Sequence, residues 1–378
     1  MIKILMVGGG SGGHILPIKA LIEETIKQKP KAEIAFWTDK KFFELSKKMV
    51  GAKFSDVRIR RVVAGKLRRY RGSRISLKEG FLNLRDLLLV VVGFFQSLGR
   101  LVVWRPDVIF LKGGYVGLPV GLAAAVLGIP FAVHDSDAVL GLTNRILGRF
   151  AKKIAVSWPV ENYTGKFVQK MVFTGVPVSD DVVKYQHAAP EKLKKQLGFD
   201  GKKPLLVAVG GGLGAKSINL ALVQNLGDLL GKYAVVLVAG RAQYADVQKK
   251  TAKYAGSPDF RLFDFLTDGL GELLAAADVV VARAGATTIA ELAVLQKAAI
   301  LVPAEFLTGG HQSKNAAILE QAKAAVVIRD ADLKRKLVGG VDKIMESAAL
   351  KRELENNIRR FKNERAAADL ARLIMDVA

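Results

Sequence analysis

The sequence predicts an α/β protein made of two Rossmann-like, doubly wound parallel-sheet domains in tandem, and three observations carry that expectation. A short apolar run at residues 4–7 enters the cluster Gly8-Gly9-Gly10-Ser11-Gly12-Gly13-His14, after which Ile15, Ala20, Leu21, Ile22 and Ile26 recur at helical spacing. The same order of strand, glycine loop and helix returns at residues 204–209, 210–215 and 218–230. Finally, 378 residues exceed what one hydrophobic core usually serves.

The remaining elements follow the same alternation. Residues 34–38, 108–111, 131–133, 154–156 and 172–174 read as short strands separated by longer helical or loop stretches, as do 234–238, 279–281 and 299–302 in the second half. The seam is expected near Gly175-Val176-Pro177, ahead of a charged, poorly periodic stretch at 180–203, and residues 350–375 read as a charged amphipathic helix. Hydrophobic residues make up 50% of the chain and aromatics only 7%, which suits a Val, Leu, Ile and Ala core around strands buried on both faces.

Composition also limits function. Cysteine is absent, which removes disulfides, thiolate metal sites and thiol nucleophiles and is compatible with a reducing cytosol. A net charge of +23 calls for a polyanionic partner, either nucleic acid or an anionic lipid surface. The N-terminus shows no signal-peptide pattern. The longest apolar block, 87–95, is nine residues, against about 20 needed to span a bilayer, so membrane contact is expected to be peripheral.

A glycine loop between strand and helix lets backbone amides approach a phosphate while the helix dipole stabilises its charge. Gly8, Gly10 and Gly13 satisfy G-x-G-x-x-G, and Gly210, Gly212 and Ala215 its alanine variant. One such loop serves equally well as a tight turn; two at matching positions favour ligand binding. The segment 282–291 (Ala-Arg-Ala-Gly-Ala-Thr-Thr-Ile-Ala-Glu) follows a strand and opens a helix, placing Gly285 and the hydroxyls of Thr287 and Thr288 for a diphosphate and Glu291 for ribose hydroxyls, although a glutamate there taken singly serves as well to complement the helix dipole. His311 and Gln312 begin the next helix with donors suited to sugar hydroxyls.

The four histidines, at 14, 134, 187 and 311, show no metal-ligand spacing. His14 and His134 are expected at the carboxyl edge of the first sheet, as general base or hydrogen-bond scaffold. Asp135-Ser136-Asp137 forms a D-x-D triplet, a pattern common by chance, and no metal site is expected. Basic side chains crowd residues 58–74 (Arg58, Arg60, Arg61, Lys66, Arg68, Arg69, Arg71, Arg74) without an acid and precede the apolar block, a pattern for docking on anionic lipid through Arg68, Arg69, Arg71, Arg74, Leu88, Leu89, Phe94 and Phe95.

Residues 9–14, 112–119, Leu142-Thr143-Asn144, Gly175-Val176-Pro177, the second glycine loop and 283–291 resemble the ordered motif set of the MurG family, the UDP-N-acetylglucosamine:lipid I N-acetylglucosaminyltransferases of glycosyltransferase family 28. The resemblance covers nearly the whole chain. It implies a GT-B fold with an acceptor- and membrane-binding domain (1–177), a UDP-sugar domain (178–362) and a final helix (363–378) returning to the first domain. It implies donor contacts from Ser11, Gly12, Gly13, Asp137, Ser179, Gly211, Gly212, Leu213, Gly214, Phe265, Leu266, Ala286, Thr287, Thr288, Glu291, His311 and Gln312, with Phe265 and Leu266 capping the uracil. Acceptor contacts are implied for Gly113, Gly114, Tyr115, His134 and Asn144, alongside residues 12–14. The family usually reads His-Glu-x-Asn where this chain has His134-Asp135-Ser136-Asp137, commonly has arginine at the place of Ser179, and has serine at the place of Gly212.

The resemblance implies an inverting transfer of N-acetylglucosamine from UDP-N-acetylglucosamine to the muramyl 4-hydroxyl of undecaprenyl-linked lipid I, at the cytoplasmic face of the cell membrane and without a metal cofactor. His14 is the first candidate for the base and Asp135 the second. Rival readings are a GT-B transferase with another lipid acceptor (a diacylglycerol or sterol glycosyltransferase) or a UDP-sugar epimerase. An NAD-dependent dehydrogenase is suggested by Asp39 near the end of the second strand, but the duplicated loops stand against it. A nucleic-acid-binding protein is disfavoured because the basic run carries Tyr70 as its one stacking aromatic. Sequence gives no oligomeric state.

Overall fold

Apolar runs flanked by glycine loops become parallel strands buried on both faces in a computed structural model that describes residues 1–10, 12–66, 77–201, 203–211, 214–266, 269–305 and 310–378. The chain forms two compact units, Met1–Val178 joined by Asn363–Ala378, and Ser179–Lys362.

In the first unit β1 (Lys3–Val7), β2 (Glu33–Thr38), β3 (Arg58–Arg61), β4 (Val108–Leu111), β5 (Phe131–Asp135), β6 (Lys153–Val156) and β7 (Met171–Phe173) make one sheet of order β3-β2-β1-β4-β5-β6-β7. All neighbours are parallel, with Ile4 opposite Ile34 on one side and Val108 on the other. Ile4, Met6, Phe36 and Phe110 pack on Ile18, Leu21 and Ile22 of the Gly12–Gln28 helix and on Leu370, Ala371 and Ile374 of the Ala366–Val377 helix. Each such fully buried aliphatic side chain is worth about 1.5–3 kcal/mol.

The second unit repeats the plan with β8 (Leu205–Val209), β9 (Ala234–Val238), β10 (Phe260–Phe263), β11 (Val279–Ala282), β12 (Ala299–Leu301) and β13 (Val326–Val327), in the order β10-β9-β8-β11-β12-β13 and parallel throughout. Its core sets Leu206, Ala208, Val235 and Val281 against Ile218 and Leu222 of the Lys216–Gln224 helix and Leu337 and Val341 of the Leu333–Met345 helix.

Three expectations need correction, and the charged stretch at 180–203 gains detail. Arg58–Arg61, read as part of a basic cluster, is an edge strand, and Arg58 and Arg61 pair with Glu33 and Glu44. Residues 180–203 hold two short helices, Asp180–Val183 and Pro190–Gln196. Residues 350–375 are not one helix: Ala348–Ile358 gives way to a 3-10 turn, Arg359–Phe361, before Ala366–Val377. The apolar block at 87–95 is the middle of a 27-residue helix, Leu77–Val103, whose segment Gly80–Val103 is by length and composition apolar enough to cross a bilayer.

Packing occupies one face of that helix. Asp86, Val90, Ser97 and Leu101 are buried, and a Cβ on Gly93 would lie 1.9 Å from the Val63 carbonyl oxygen. The opposite face exposes Phe81 (70%), Leu84, Leu88, Val91, Val92 and Phe95 (63%), spaced to form one apolar stripe along the helix. Leu89 and Phe94, also expected to dock, are half-buried, while Arg68, Arg69, Arg71 and Arg74 lie outside the described residues.

Candidate active site

Open parallel sheets bind ligands beyond the carboxyl ends of their strands, where neighbouring strands send their connections to opposite sides. In the first sheet that point lies between β1 and β4, and in the second between β8 and β11. The segments that follow these strands carry the two glycine clusters, His14 and residues 113–115 and 286–288, whereas residues 134–137 lie at the end of β5, and Phe265, Leu266, His311 and Gln312 come after β10 and β12.

In the first unit, His14 stands in the opening turn of the Gly12–Gln28 helix, and its Nδ1 donates to the Gly9 carbonyl at 2.6 Å. A carbonyl only accepts, so the proton sits on Nδ1 and a neutral ring presents Nε2 as an acceptor. Desolvation, followed by the Lys112 ammonium, pulls the imidazole down to about 4. Gly114, with φ +72°, lies so close to His14 that a Cβ there would be 2.8 Å from the ring. Gly12 and Gly13 open the helix; Ser11 lies outside the described residues.

Asp39, at the end of β2, accepts from the Gly10 amide at 3.0 Å and from the Tyr115 hydroxyl at 2.9 Å. The carboxylate that a dinucleotide site would offer to ribose is therefore spent on bracing the two glycine loops against each other. Burial and this carboxylate together raise the Tyr115 phenol.

His134 and Asn144, expected as acceptor contacts, are enclosed in the wall of the site. His134 is fully buried and donates from Nε2 to the Gly175 carbonyl at 2.9 Å. Asn144 donates to the His134 carbonyl and to Asp135 Oδ2, both at 2.9 Å. Asp135 also accepts from the Gly141 amide at 2.7 Å and the Asp137 amide at 3.2 Å. The D-x-D triplet is thus a braced turn. Burial, then the Asp137 charge, raises the Asp135 carboxyl, opposed by those hydrogen bonds. Lys112, which sequence reading passed over as the lead-in to a glycine motif, is buried and donates to Ser136 Oγ at 2.5 Å.

In the second unit, Gly210, Gly211 and Gly214 are required by geometry. A Cβ on Gly210 would meet the Ala215 amide nitrogen at 2.2 Å, Gly211 has φ +73°, and Gly214 has φ +76° with its Cβ position 2.4 Å from the Ala239 carbonyl. Gly212 and Leu213 lie outside the described residues, as do Thr267 and Asp268. Ala286, Thr287 and Thr288 form the first turn of the Ala286–Val294 helix, whose free amides suit a phosphate. Glu291 is half-buried on that helix, and desolvation pushes its carboxyl up to about 7.

Arg283, just before that turn, donates to Asp330 at 2.6 Å and to Ser217 at 2.7 Å, tying the loop to the Lys216–Gln224 helix. Asn315 donates to the Ala284 carbonyl at 3.1 Å, and Gln312 accepts from the Ala304 amide at 2.9 Å. His311 opens its helix behind Gly310, and Phe265, next to half-buried Leu266, lies under the Arg241 guanidinium at 4.8 Å. Of the other described donor candidates, Gly12, Gly13 and Asp137 belong to the first unit, and Ser179 stands in the second at the N-cap of Asp180–Val183. Lys112, Ser136 and Arg283 carry no individual role in the sequence, and Asp39, which there suggests a dinucleotide site, braces the loops instead.

Residues 4–156 match the glycosyltransferase family 28 N-terminal domain and residues 205–372 its C-terminal domain. A protein of Thermoanaerobacter sp. (strain X514) named UDP-N-acetylglucosamine--N-acetylmuramyl-(pentapeptide) pyrophosphoryl-undecaprenol N-acetylglucosamine transferase is 32% identical over 99% of this chain and 100% of its own length. A protein of Geobacillus kaustophilus with the same name is 34% identical, covering 100% of this chain and 99% of its own. Among solved structures, Acinetobacter baumannii MurG superposes with a TM-score of 0.74 at 24% identity, covering all of both chains. The UDP-GlcNAc 2-epimerase of Neisseria meningitidis, bound to UDP-GlcNAc, gives 0.65 at 12% identity over 99% of this chain and 100% of its own, a likeness of fold.

Proposed function

The chain belongs to glycosyltransferase family 28, and from that premise we propose that it transfers N-acetylglucosamine from UDP-N-acetylglucosamine to the 4-hydroxyl of the muramyl sugar of undecaprenyl-linked lipid I, forming lipid II for peptidoglycan. The observation that carries this reading is full-length similarity, at 32–34% identity, to transferases named for that reaction. An epimerase resembles the chain in fold alone, at 12% identity.

The two substrates divide between the units. In the second unit, the β8 loop and the first turn of the Ala286–Val294 helix meet the diphosphate, Glu291 holds the ribose, Phe265 and Leu266 cover the uracil, and His311 and Gln312 meet the sugar. Loop amides and helix N-termini stabilise the negative charge of departing UDP, so no metal is invoked. In the first unit, the glycines at 113 and 114 with Tyr115 receive the acceptor.

The muramyl oxygen forms a bond to the anomeric carbon as the bond from that carbon to the UDP oxygen breaks, with inversion. The hydroxyl proton passes to His14 Nε2. Support for His14 as base comes from its Gly9 hydrogen bond, which holds the proton on Nδ1 and leaves Nε2 as the acceptor, and from the burial that keeps the ring uncharged. Asp135, held by amides and Asn144, braces the turn instead.

The lipid acceptor brings the enzyme to a membrane. The Leu77–Val103 helix docks its outer face, Phe81, Leu84, Leu88, Val91, Val92 and Phe95, on the cytoplasmic leaflet as a peripheral contact, because its inner face is already packed within the first unit. The excess of cations, +23 overall, favours an anionic leaflet.

Incubation with UDP-N-acetylglucosamine and lipid I, with and without chelator, tests the reading. Lipid II and UDP are expected in equal amounts under both conditions. Free N-acetylmannosamine or UDP-N-acetylmannosamine in place of lipid II would overturn it in favour of an epimerase.

A further inference from the structure

A buried ammonium lies beneath both glycine loops of the first unit. Lys112 follows β4 directly, its amide donates to the Val7 carbonyl at 2.8 Å, and its side chain is 2% exposed. A Cβ on Gly8 would lie 3.2 Å from Lys112 Cβ, so the side-chain stem fills the space under the first loop. Its Nζ reaches Ser136 Oγ at 2.5 Å, inside the turn that Asp135 braces. A cation held out of water at this depth is disfavoured unless anions compensate it. Asp135 and Asp137 supply the charges that favour it, against a desolvation that pulls the amine down.

His14 shares this field. Asp39 from the end of β2 and Asp137 from the loop after β5 favour its protonated form, while Lys112 opposes it. Lys112 likewise opposes protonation of His134, as does His14. The Tyr115 phenol, held by Asp39 and raised further by the Asp86 charge, and the Tyr163 phenol, which donates to the Asp137 carbonyl at 3.0 Å and feels the Asp135 and Asp137 charges, are further titratable groups on this side. Burial is the larger cause that keeps the ring uncharged, and the ammonium adds to it against the pull of Asp137 and Asp39; an imidazolium has no lone pair with which to take a proton.

We propose that Lys112 is a positioning residue for the transfer reaction: its buried ammonium, anchored on Ser136, offsets the surrounding carboxylates and so, together with burial, keeps the His14 ring uncharged and able to accept the acceptor's hydroxyl proton. This rests on the reading that His14 is the base. The proton taken by Nε2 leaves as the site is reset by solvent, and Lys112 itself exchanges none.

The test uses the full-length chain, with its four histidines followed by nitrogen-15 NMR titration and His14→Asn fixing the assignment. In the wild type, His14 should stay neutral to below pH 5. In Lys112→Met its midpoint should rise by about one unit, the acidic limb of kcat/KM for lipid I should rise with it, and Lys112→Arg should restore both. UDP affinity, a property of the second unit, should stay within about twofold. A wild-type His14 titrating near the free value of about 6.5 would overturn the proposal even if the methionine variant failed to fold. So would a Lys112→Met midpoint equal to that of wild type with turnover merely lowered. If His14 shifts as expected but wild type yields no lipid II, the electrostatic assignment stands and the reading of the reaction falls.

Discussion

The Tyr115 hydroxyl donates to Asp39 Oδ2 at 2.9 Å while the other oxygen of that carboxylate accepts from the Gly10 amide at 3.0 Å. One side chain thus joins the loop after β1 to the loop after β4. Asp39→Ala should cost about 1–3 kcal/mol, because it strands a part-buried donor on each loop. Denaturant unfolding measures the loss. kcat/KM for lipid I should fall more than UDP affinity, which the proposed function assigns to the other unit.

His14→Ala should lower turnover by about 10²- to 10⁴-fold, the usual contribution of a general base, with UDP binding preserved. Near-normal turnover with lipid I would show that another group takes the proton. The same residue bears on stability. Its imidazole is depressed from 6.5 to about 4 on folding, so the unfolded chain binds more protons between those values. Its contribution is therefore whole above pH 6.5 and declines as pH falls toward 4, visible as a lower melting temperature in acid that is less steep in His14→Ala.

Glu291 behaves in the opposite sense. Burial raises its carboxyl from 4.5 to about 7, so the folded chain holds a proton in that window and loses stability as pH rises through it. Ribose hydroxyls donating to the carboxylate favour the ionised form. UDP binding should therefore release protons near pH 7 and tighten as pH rises. Calorimetry in buffers of different ionisation enthalpy reads the release directly, and Glu291→Gln should abolish it and weaken UDP by about tenfold or more.

Gly214→Ala should disable the donor loop, since the residue has φ +76° and its Cβ would lie 2.4 Å from the Ala239 carbonyl oxygen. A stability loss of about 2 kcal/mol or more is expected, together with loss of UDP affinity. Equilibrium dialysis with labelled UDP checks the second outcome.

Replacing Leu88 and Phe95 together by glutamate should reduce flotation with anionic liposomes while leaving soluble UDP binding intact. Both side chains lie on the exposed face of the Leu77–Val103 helix. Wild-type binding should rise with anionic lipid content and fall with salt. Unaltered flotation of the double variant would place the docking face elsewhere.

Strands flanked by glycine loops were legible because an apolar run entering a glycine cluster has few other structural uses; β1, β4, β8 and β9 fall where those runs lie. The strand β3 was not legible, since Arg-Ile-Arg-Arg has neither the alternation of a half-buried strand nor the apolar run of a central one; it lies at the sheet edge with one neighbour, β2. The length of the Leu77–Val103 helix was hidden by Arg85 and Asp86, which break the apolar run but not the helix. Within the site, residue type suggested His14 and Glu291, but nothing local marks Lys112. Its significance comes from meeting Ser136, 24 positions away, across adjacent strands.

The helix Ala366–Val377 lies on the Gly12–Gln28 helix, so residues 366–377 close over a core that residues 4–22 begin. A ribosome making this protein releases the whole second unit before the segment that seals the first. Until then Ile18 and Ile22 wait beside an unfilled groove, a nascent-chain hazard that grows with the time spent in synthesis. A fragment ending at residue 178 would keep that vacancy permanently, so the first unit should be sought as a circular permutant that links residue 378 to residue 1 and opens at 178.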